Sequence, residues 1–325
     1  MAAFVDSIAF ADVPMAVEAE NLDDLARATQ LRLLRRWAES DSYAAAQWAV
    51  RLPPGETRHS SLMAVAIIWA NQSLPDAIAW VRDLPEDTER YEGLRSIAYE
   101  AARTEAIEAL KLAVELPFSE SRDDLIRHAA AQWAANAPEA AVAWAKQIGD
   151  SMLRESVLAA IATAWSDNAP EEAARLAVES LTAGRQQEDA LVGVMQRWAQ
   201  QDPEAVASWV SQFPEGPLRQ SAFDNLVRLW TDQNVDEPGK WLNGLSSGTS
   251  RDTAVAAYVS KLIPFLPELA VRWAESIGND ALRSSGIETA ATAWLTHNPS
   301  AASAWIQQAP LPEHLKLRLL TDKAE

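Results

Sequence analysis

Four histidines, His59, His128, His297 and His314, are the side chains best suited to proton transfer near neutral pH, and they fall at unrelated places in the chain. No His-Glu-x-x-His pair, Gly-x-Ser-x-Gly elbow, phosphate-binding loop or dinucleotide fingerprint accompanies them. Cysteine is absent, which removes thiolate nucleophiles, disulfides and cysteine zinc sites and leaves the redox compartment open. The stretch DQNVDEPG, 232–239, begins like a calcium loop with Asp232, Asn234 and Asp236 alternating, but it lacks the glycine at the sixth place and an acid at the twelfth, which is Asn243. It reads better as an inter-helix turn. Among 46 acidic residues no carboxylate pair stands out, because most belong on solvated helix faces. These residues name no catalytic group, no cofactor and no metal site, and the expectation is a protein that is not an enzyme.

Two other residue types are spaced far more regularly. Tryptophans stand at Trp37, Trp69, Trp133, Trp165, Trp198, Trp230 and Trp294, and a second series at Trp48, Trp80, Trp144, Trp209, Trp241, Trp273 and Trp305. Both series have a period of 32, with one extra residue between Trp165 and Trp198, and Ala101, Leu112, Leu176 and Leu262 fill the empty places. A row of indoles could line a groove for a peptide or a sugar. The substitutes are never polar, though, and the tryptophans share their stripes with Ala, Ile and Leu, so they are expected to form the repeat core.

Arginine forms the other ladder. Arg58, Arg90, Arg122, Arg154, Arg219, Arg251 and Arg283 each follow a first-series position by 21 residues, and Arg185 falls one short. They sit in the first turn of a helix, where a cation opposes the helix dipole and needs a partner. Each guanidinium is expected to reach the carbonyls that end the preceding helix, or nearby acids such as Glu89, Asp123, Asp124, Glu155 and Asp252. The alternative is a row that receives an acidic partner, which makes Arg90, Arg122, Arg154, Arg219, Arg251 and Arg283 the candidate binding residues.

The elements that would position both ladders follow from the punctuation. Proline comes five residues after the first tryptophan position at Pro138, Pro170, Pro203, Pro267 and Pro299, and five after the second at Pro53, Pro85, Pro117, Pro214 and Pro310. Before the first prolines stand Asn136, Asn168, Asp202 and Asn298, which with proline at the first helical position read as helix starts. Between the stops, apolar residues follow a helical period, as in Leu125, Ile126, Ala129, Ala130, Trp133 and Ala134, then Ala140, Ala141, Trp144, Ala145 and Ile148. Each 32-residue unit is thus a pair of short helices. Helices of roughly ten to fifteen residues are marginal alone, so the pairs must stack to cover their stripes.

The pattern resembles the tetratricopeptide and HEAT-like class of helical-hairpin repeats over about residues 20–310. The tetratricopeptide repeat has a 34-residue period with a Trp, a Leu-Gly pair and a Tyr in its first helix; here the period is 32, the Leu-Gly pair is missing and a second Trp is added. The resemblance implies an all-α, right-handed α-solenoid of about nine helix-turn-helix repeats and a protein-binding surface. Residues 1–22, with Asp12 and Pro14, are expected to be a degenerate capping half-repeat, 23–310 the array, and 311–325 a capping helix.

A net charge of -18 repels phosphate backbones and anionic head groups, so nucleic acid is not an expected partner. No run of apolar residues is long enough to insert in a membrane, and the first 20 residues have no basic n-region and carry Asp6 and Asp12, unlike a signal peptide. The compartment is left open between the cytoplasm and an export route with a trimmed leader. The function expected is an acidic, non-catalytic scaffold for a protein or peptide. A self-associating module of a larger envelope or secreted complex is the alternative, and an α/α-toroid enzyme comes third. The units that break the pattern, at 101–117 and 243–270, are candidates for a hinge or a contact site; in the second, Pro264 is expected to end its helix early.

Overall fold

The structure, a computed structural model, describes residues 12–18 and 24–321. Among the described residues there are twenty helices and no strand. The chain divides into two compact units, Met1–Ala164 and Trp165–Glu325. Most of the expected 1–22 cap lies outside the described residues, apart from helix α1, Val13–Glu18, whose Val13 and Val17 are buried.

In the first unit follow α2 (Asp24–Ser40), α3 (Ser42–Arg51), α4 (Glu56–Gln72), α5 (Leu74–Arg82), α6 (Asp87–Ala101), α7 (Ala106–Glu115), α8 (Glu120–Ala134) and α9 (Pro138–Ala145); α10 (Ser151–Trp165) ends at the boundary. The second holds α11 (Pro170–Ser180), α12 (Arg185–Gln201), α13 (Pro203–Val210), α14 (Pro217–Gln233), α15 (Glu237–Gly244), α16 (Thr249–Leu262), α17 (Pro267–Glu275), α18 (Asp280–His297), α19 (Pro299–Gln308) and α20 (Glu313–Thr321). From α2 to α19, long and short helices alternate. Within each unit a long helix packs on its short partner and on the next long helix, as α4 does on α5 and α6, or α14 on α15 and α16.

Local chemistry sets these boundaries. The first-series tryptophan lies in the last turn of its long helix, and its carbonyl accepts from the residue that opens the short one: Asp41 N to Trp37 O at 2.7 Å, Asp202 N to Trp198 O and Asn298 N to Trp294 O at 2.8 Å. The same Asp41, Asp202 and Asn298 then accept from Ala44, Ala205 and Ala301 N, so one residue closes one helix and caps the next. At Asn136 and Asn168 the expectation fails. The N-caps there are Ala137 and Ala169, which have no side chain to offer, and the proline that follows supplies only its preset φ.

Alanine seals the contacts between helices. Ala129, Ala130, Ala141 and Ala145 are wholly buried, while Trp133 and Trp144 on the same stripes are half-buried. Of the fourteen tryptophans, Trp37, Trp48, Trp198, Trp230 and Trp294 are buried and the other nine are half-buried. Small alanines bring the backbones together, and the indole, too large for that seam, lies at its edge. There it meets the other indole of its own hairpin. Ring centroids are 6.4 Å apart for Trp37 and Trp48, 5.6 Å for Trp69 and Trp80, and 6.4 Å for Trp133 and Trp144. In the second unit they are 5.7 Å apart for Trp198 and Trp209, 6.2 Å for Trp230 and Trp241, and 5.9 Å for Trp294 and Trp305. All are tilted pairs at ordinary aromatic contact distances.

Where Leu262 replaces a tryptophan, Tyr258 one turn earlier supplies the ring, packed edge-on to Trp273 at 5.2 Å. Its hydroxyl donates to Val235 O at 2.5 Å, and burial pushes its pKa up, which keeps the donor protonated. Close approach also explains Gly93 in the middle of α6. A Cβ there would come within 2.7 Å of Val81 Cγ1 on α5.

Two stability predictions follow from this packing. Gly93→Ala gains about 1 kcal/mol of helix propensity but overpacks the α5–α6 seam by about 1–3 kcal/mol, so its urea midpoint falls below wild type. Trp230→Ala, at a position 3 % exposed, loses about 3–5 kcal/mol, whereas half-buried Trp133→Ala loses roughly half as much. Equal losses at the two tryptophans would contradict an indole placed at the edge of an alanine seam.

Candidate functional site

The arginine ladder lies where each short helix hands over to the next long one. Arg154 Nη1 donates to Ile148 O at 2.8 Å, Arg90 Nη1 to Leu84 O at 2.7 Å, and Arg283 Nη1 to Ile277 O at 2.9 Å. Arg251 Nε reaches Leu242 O at 3.3 Å and its Nη1 reaches Ser276 O at 3.1 Å. The cation therefore stands near the N-terminus of its own helix because it caps the C-terminus of the helix before. Arg58 is the most complete case: its Nη1 donates to Val50 O and Leu52 O, while Nε and Nη2 grip Glu89 at 2.6 and 2.9 Å. That bidentate bond is the main reason the guanidinium pKa is raised further.

Arg185 does not belong to this row. It is almost fully exposed and meets only Asp189 at 3.6 Å. The place is taken by buried Gln187, whose Nε2 donates to Val178 O at 2.8 Å and Leu181 O at 3.2 Å. Counted back from the tryptophan of its own helix, Gln187 stands 11 residues before Trp198 as Arg219 stands 11 before Trp230. Counting forward across the inserted residue hid that register. Arg122 and Arg219 differ in another way: each packs under an aromatic ring, Phe118 at 4.5 Å and Phe223 at 4.9 Å, and each has a buried Nε with no hydrogen-bond partner.

The titratable residues do not converge. His59 Nε2 meets Glu92 at 3.1 Å, the His128 ring lies 5.5 Å from that of Tyr99, and His297 Nδ1 contacts Ala293 O on its own helix at 2.9 Å. Asp232 is held by Lys261 Nζ, 2.7 Å from both carboxylate oxygens, and Asn234 Oδ1 accepts from Asp236 N and Glu237 N. DQNVDEPG thus forms the turn between α14 and α15. Among the described residues no group of three or more His, Cys, Asp or Glu is placed to hold a metal ion, and no helix is long and apolar enough to cross a membrane.

What does recur is a shallow cleft beside the short helices, walled by a first-series tryptophan. In the first unit, a cleft of about 410 Å³ lies between the α6–α7 turn and the end of α8, with Ile107, Lys111, Trp133 and Asn136 in its walls. In the second unit, one of about 340 Å³ lies between α13 and α15 against Trp230, whose indole N–H donates to Glu237 at 3.2 Å. Another of about 350 Å³ is formed by Phe265, Leu266, Leu269 and Arg272 at the start of α17 with Trp294 and His297 of α18. These volumes lie at the small end of ligand pockets.

Two of the three clefts coincide with the irregular stretches. Ile107 belongs to the unit that lost both tryptophans, and Phe265 follows Pro264, where α16 stops at Leu262. Phe265 occupies the place at which Gln72 and Gln233 donate to the end of the preceding long helix, at Glu39 O and Ala199 O. It makes no such tie and is 80 % exposed.

No protein-family model matches the chain, and no curated protein matches it by sequence. Among solved structures, the crystal structure of Ton1535 from Thermococcus onnurineus NA1 aligns over 96% of this chain and 94% of its own, at 14% identity and a TM-score of 0.29. At that score the likeness carries no argument.

The ladder makes a sharp prediction. Arg58→Ala breaks a mostly buried ion pair and two carbonyl bonds and costs about 3–5 kcal/mol. Gln187→Ala strands buried carbonyls and costs about 1–3 kcal/mol. Arg185→Ala leaves the thermal midpoint unchanged. A loss at Arg185 matching that at Gln187 would overturn the register assigned here.

Proposed function

We propose that the chain is an interaction scaffold without catalysis, an α-solenoid of about nine 32-residue hairpins that offers the clefts beside its short helices to a protein or peptide segment. The solenoid rests on the 32-residue period in the sequence and on the long-to-short, long-to-long packing order within each unit. The observation that carries the function is the recurrence of one kind of cleft, a tryptophan wall with an exposed apolar or charged lip, at corresponding places beside α7, α13 and α17. A catalytic site is built once and gathers unlike groups. A repeated, chemically similar surface suits an extended partner that is gripped at several points.

The ladder arginines support the same choice of face. Each ladder arginine has at least one guanidinium nitrogen committed to a carbonyl or an acid of this chain, which leaves the apolar lips as the freer contact surface. In affinity capture from a lysate, Ile107→Ser and Phe265→Ser, both at exposed positions and expected to alter stability by less than about 0.5 kcal/mol, should each reduce recovery of an identified partner at least tenfold. Undiminished recovery by the double variant would remove the clefts from the binding surface. Concentration-dependent self-association with no captured partner would favour the assembly-module alternative.

A further inference from the structure

The structure assigns to Arg122 a role that its ladder equivalents lack: we propose that its buried, unpartnered Nε is a docking point for a glutamate side chain of a partner segment that carries an apolar residue beside it. The partner in this proposal rests on the scaffold reading above; the geometry does not.

Arg58 shows what the Nε–Nη2 edge of a ladder arginine accepts. Its Nε and Nη2 hold the two oxygens of Glu89, the third residue of α6. The third residue of α10, which stands to Arg122 as Glu89 does to Arg58, is Leu153. The acid is therefore missing here, as it is 31 residues after Arg90, Arg219, Arg251 and Arg283, where Ser121, Ser250, Leu282 and His314 stand. Arg122 Nη1 still meets Asp123 at 3.2 Å, but Nε is buried with no partner, in a side chain only 10 % exposed. A buried donor without an acceptor is a rare and unfavourable arrangement.

The surroundings differ from those of Arg219, which shares the orphan Nε. Arg219 lies beneath Phe223, which is sealed in the core. Arg122 lies beneath Phe118, which is 91 % exposed in the turn before α8, and Met152, next to Leu153, is 81 % exposed. Rotation of Phe118 would open the edge, and Phe118 and Met152 would then contact the partner's apolar side chain. The acids around it are engaged: Asp123 holds Nη1, and Asp150 accepts from Leu153 N at 2.8 Å. With a net charge of -18 the chain does not draw an acid from a distance, so recognition comes from short-range bonds and the apolar contact.

The test is a titration of the full chain with acetyl-Phe-Glu-Leu-amide and acetyl-Phe-Gln-Leu-amide, followed at the Arg122 Nε–H signal in ¹H–¹⁵N spectra. The glutamate peptide should move that signal and bind at least tenfold more tightly than the glutamine peptide. Leu153→Glu should raise the thermal midpoint and weaken the peptide at least tenfold, because the new carboxylate fills the edge as Glu89 does at Arg58. Should that variant fold poorly, Met152→Glu, at an exposed position, removes the apolar contact and sets a like charge beside the site, and should also weaken the peptide at least tenfold. An unmoved Nε–H signal, equal binding of the two peptides, or full binding by the folded glutamate variant would overturn the proposal. The readout uses a defined peptide, so its failure leaves the scaffold reading intact, and failure to capture a partner from a lysate leaves this site intact.

Discussion

A helix ends with carbonyls that no later turn of its own can satisfy, and in this protein short helices end often. The hydrogen bond from a ladder arginine to those carbonyls is the interaction on which the rest depends. It ties the last turn of one short helix to the first turn of the next long one, as Arg154 does at Ile148 O, and so fixes the angle at which one hairpin leads into the next. It also explains a cation at a helix N-terminus, where the dipole alone disfavours it. Gln187 shows that the requirement is for donors and reach, with charge secondary.

Once the turns are fixed, alanine decides how close the helices come. Sealed alanine seams and the bare Cα of Gly93 bring backbones together, and nine of the fourteen indoles are left half-buried at the margin, while six hairpins pair their two indoles. The large side chain thus serves two purposes at once. One face covers the seam, and the remaining edge walls a cleft beside the short helix, as Trp133, Trp230 and Trp294 do. Packing inside each hairpin and the surface offered outside it are consequences of the same size mismatch between alanine and tryptophan.

The irregular places gain meaning against that background. Where a tryptophan is lost at Leu262, Tyr258 restores the ring, so that loss is repaired within the core. Where Phe265 stands in place of a tying glutamine, or Arg122 Nε is left without an acceptor, nothing inside the chain repairs it. Unrepaired departures lie beside exposed apolar side chains, Leu266 in one case and Phe118 with Met152 in the other. That coincidence is what turns them from irregularities into candidate contacts.

The sequence by itself determined the helices, their ends and their alternation, because proline, the capping residues and the apolar period are local signals that act within a few residues. It also located the arginine row and stated why a cation there needs carbonyls or acids. Tertiary structure decided what required distances between distant residues. Asn136 and Asn168 had the chemistry of caps but stand one place too early to act as them. Arg185 had the charge for the ladder, while Gln187 had the register, since an inserted residue shifts a count made from the previous hairpin. The tryptophans were legible as stripe residues, but only the approach of the alanine seams left nine of the fourteen half-buried. Arg58 and Arg122 look alike in the sequence, and the neighbour that completes one guanidinium and leaves the other open stands 31 residues further along the chain.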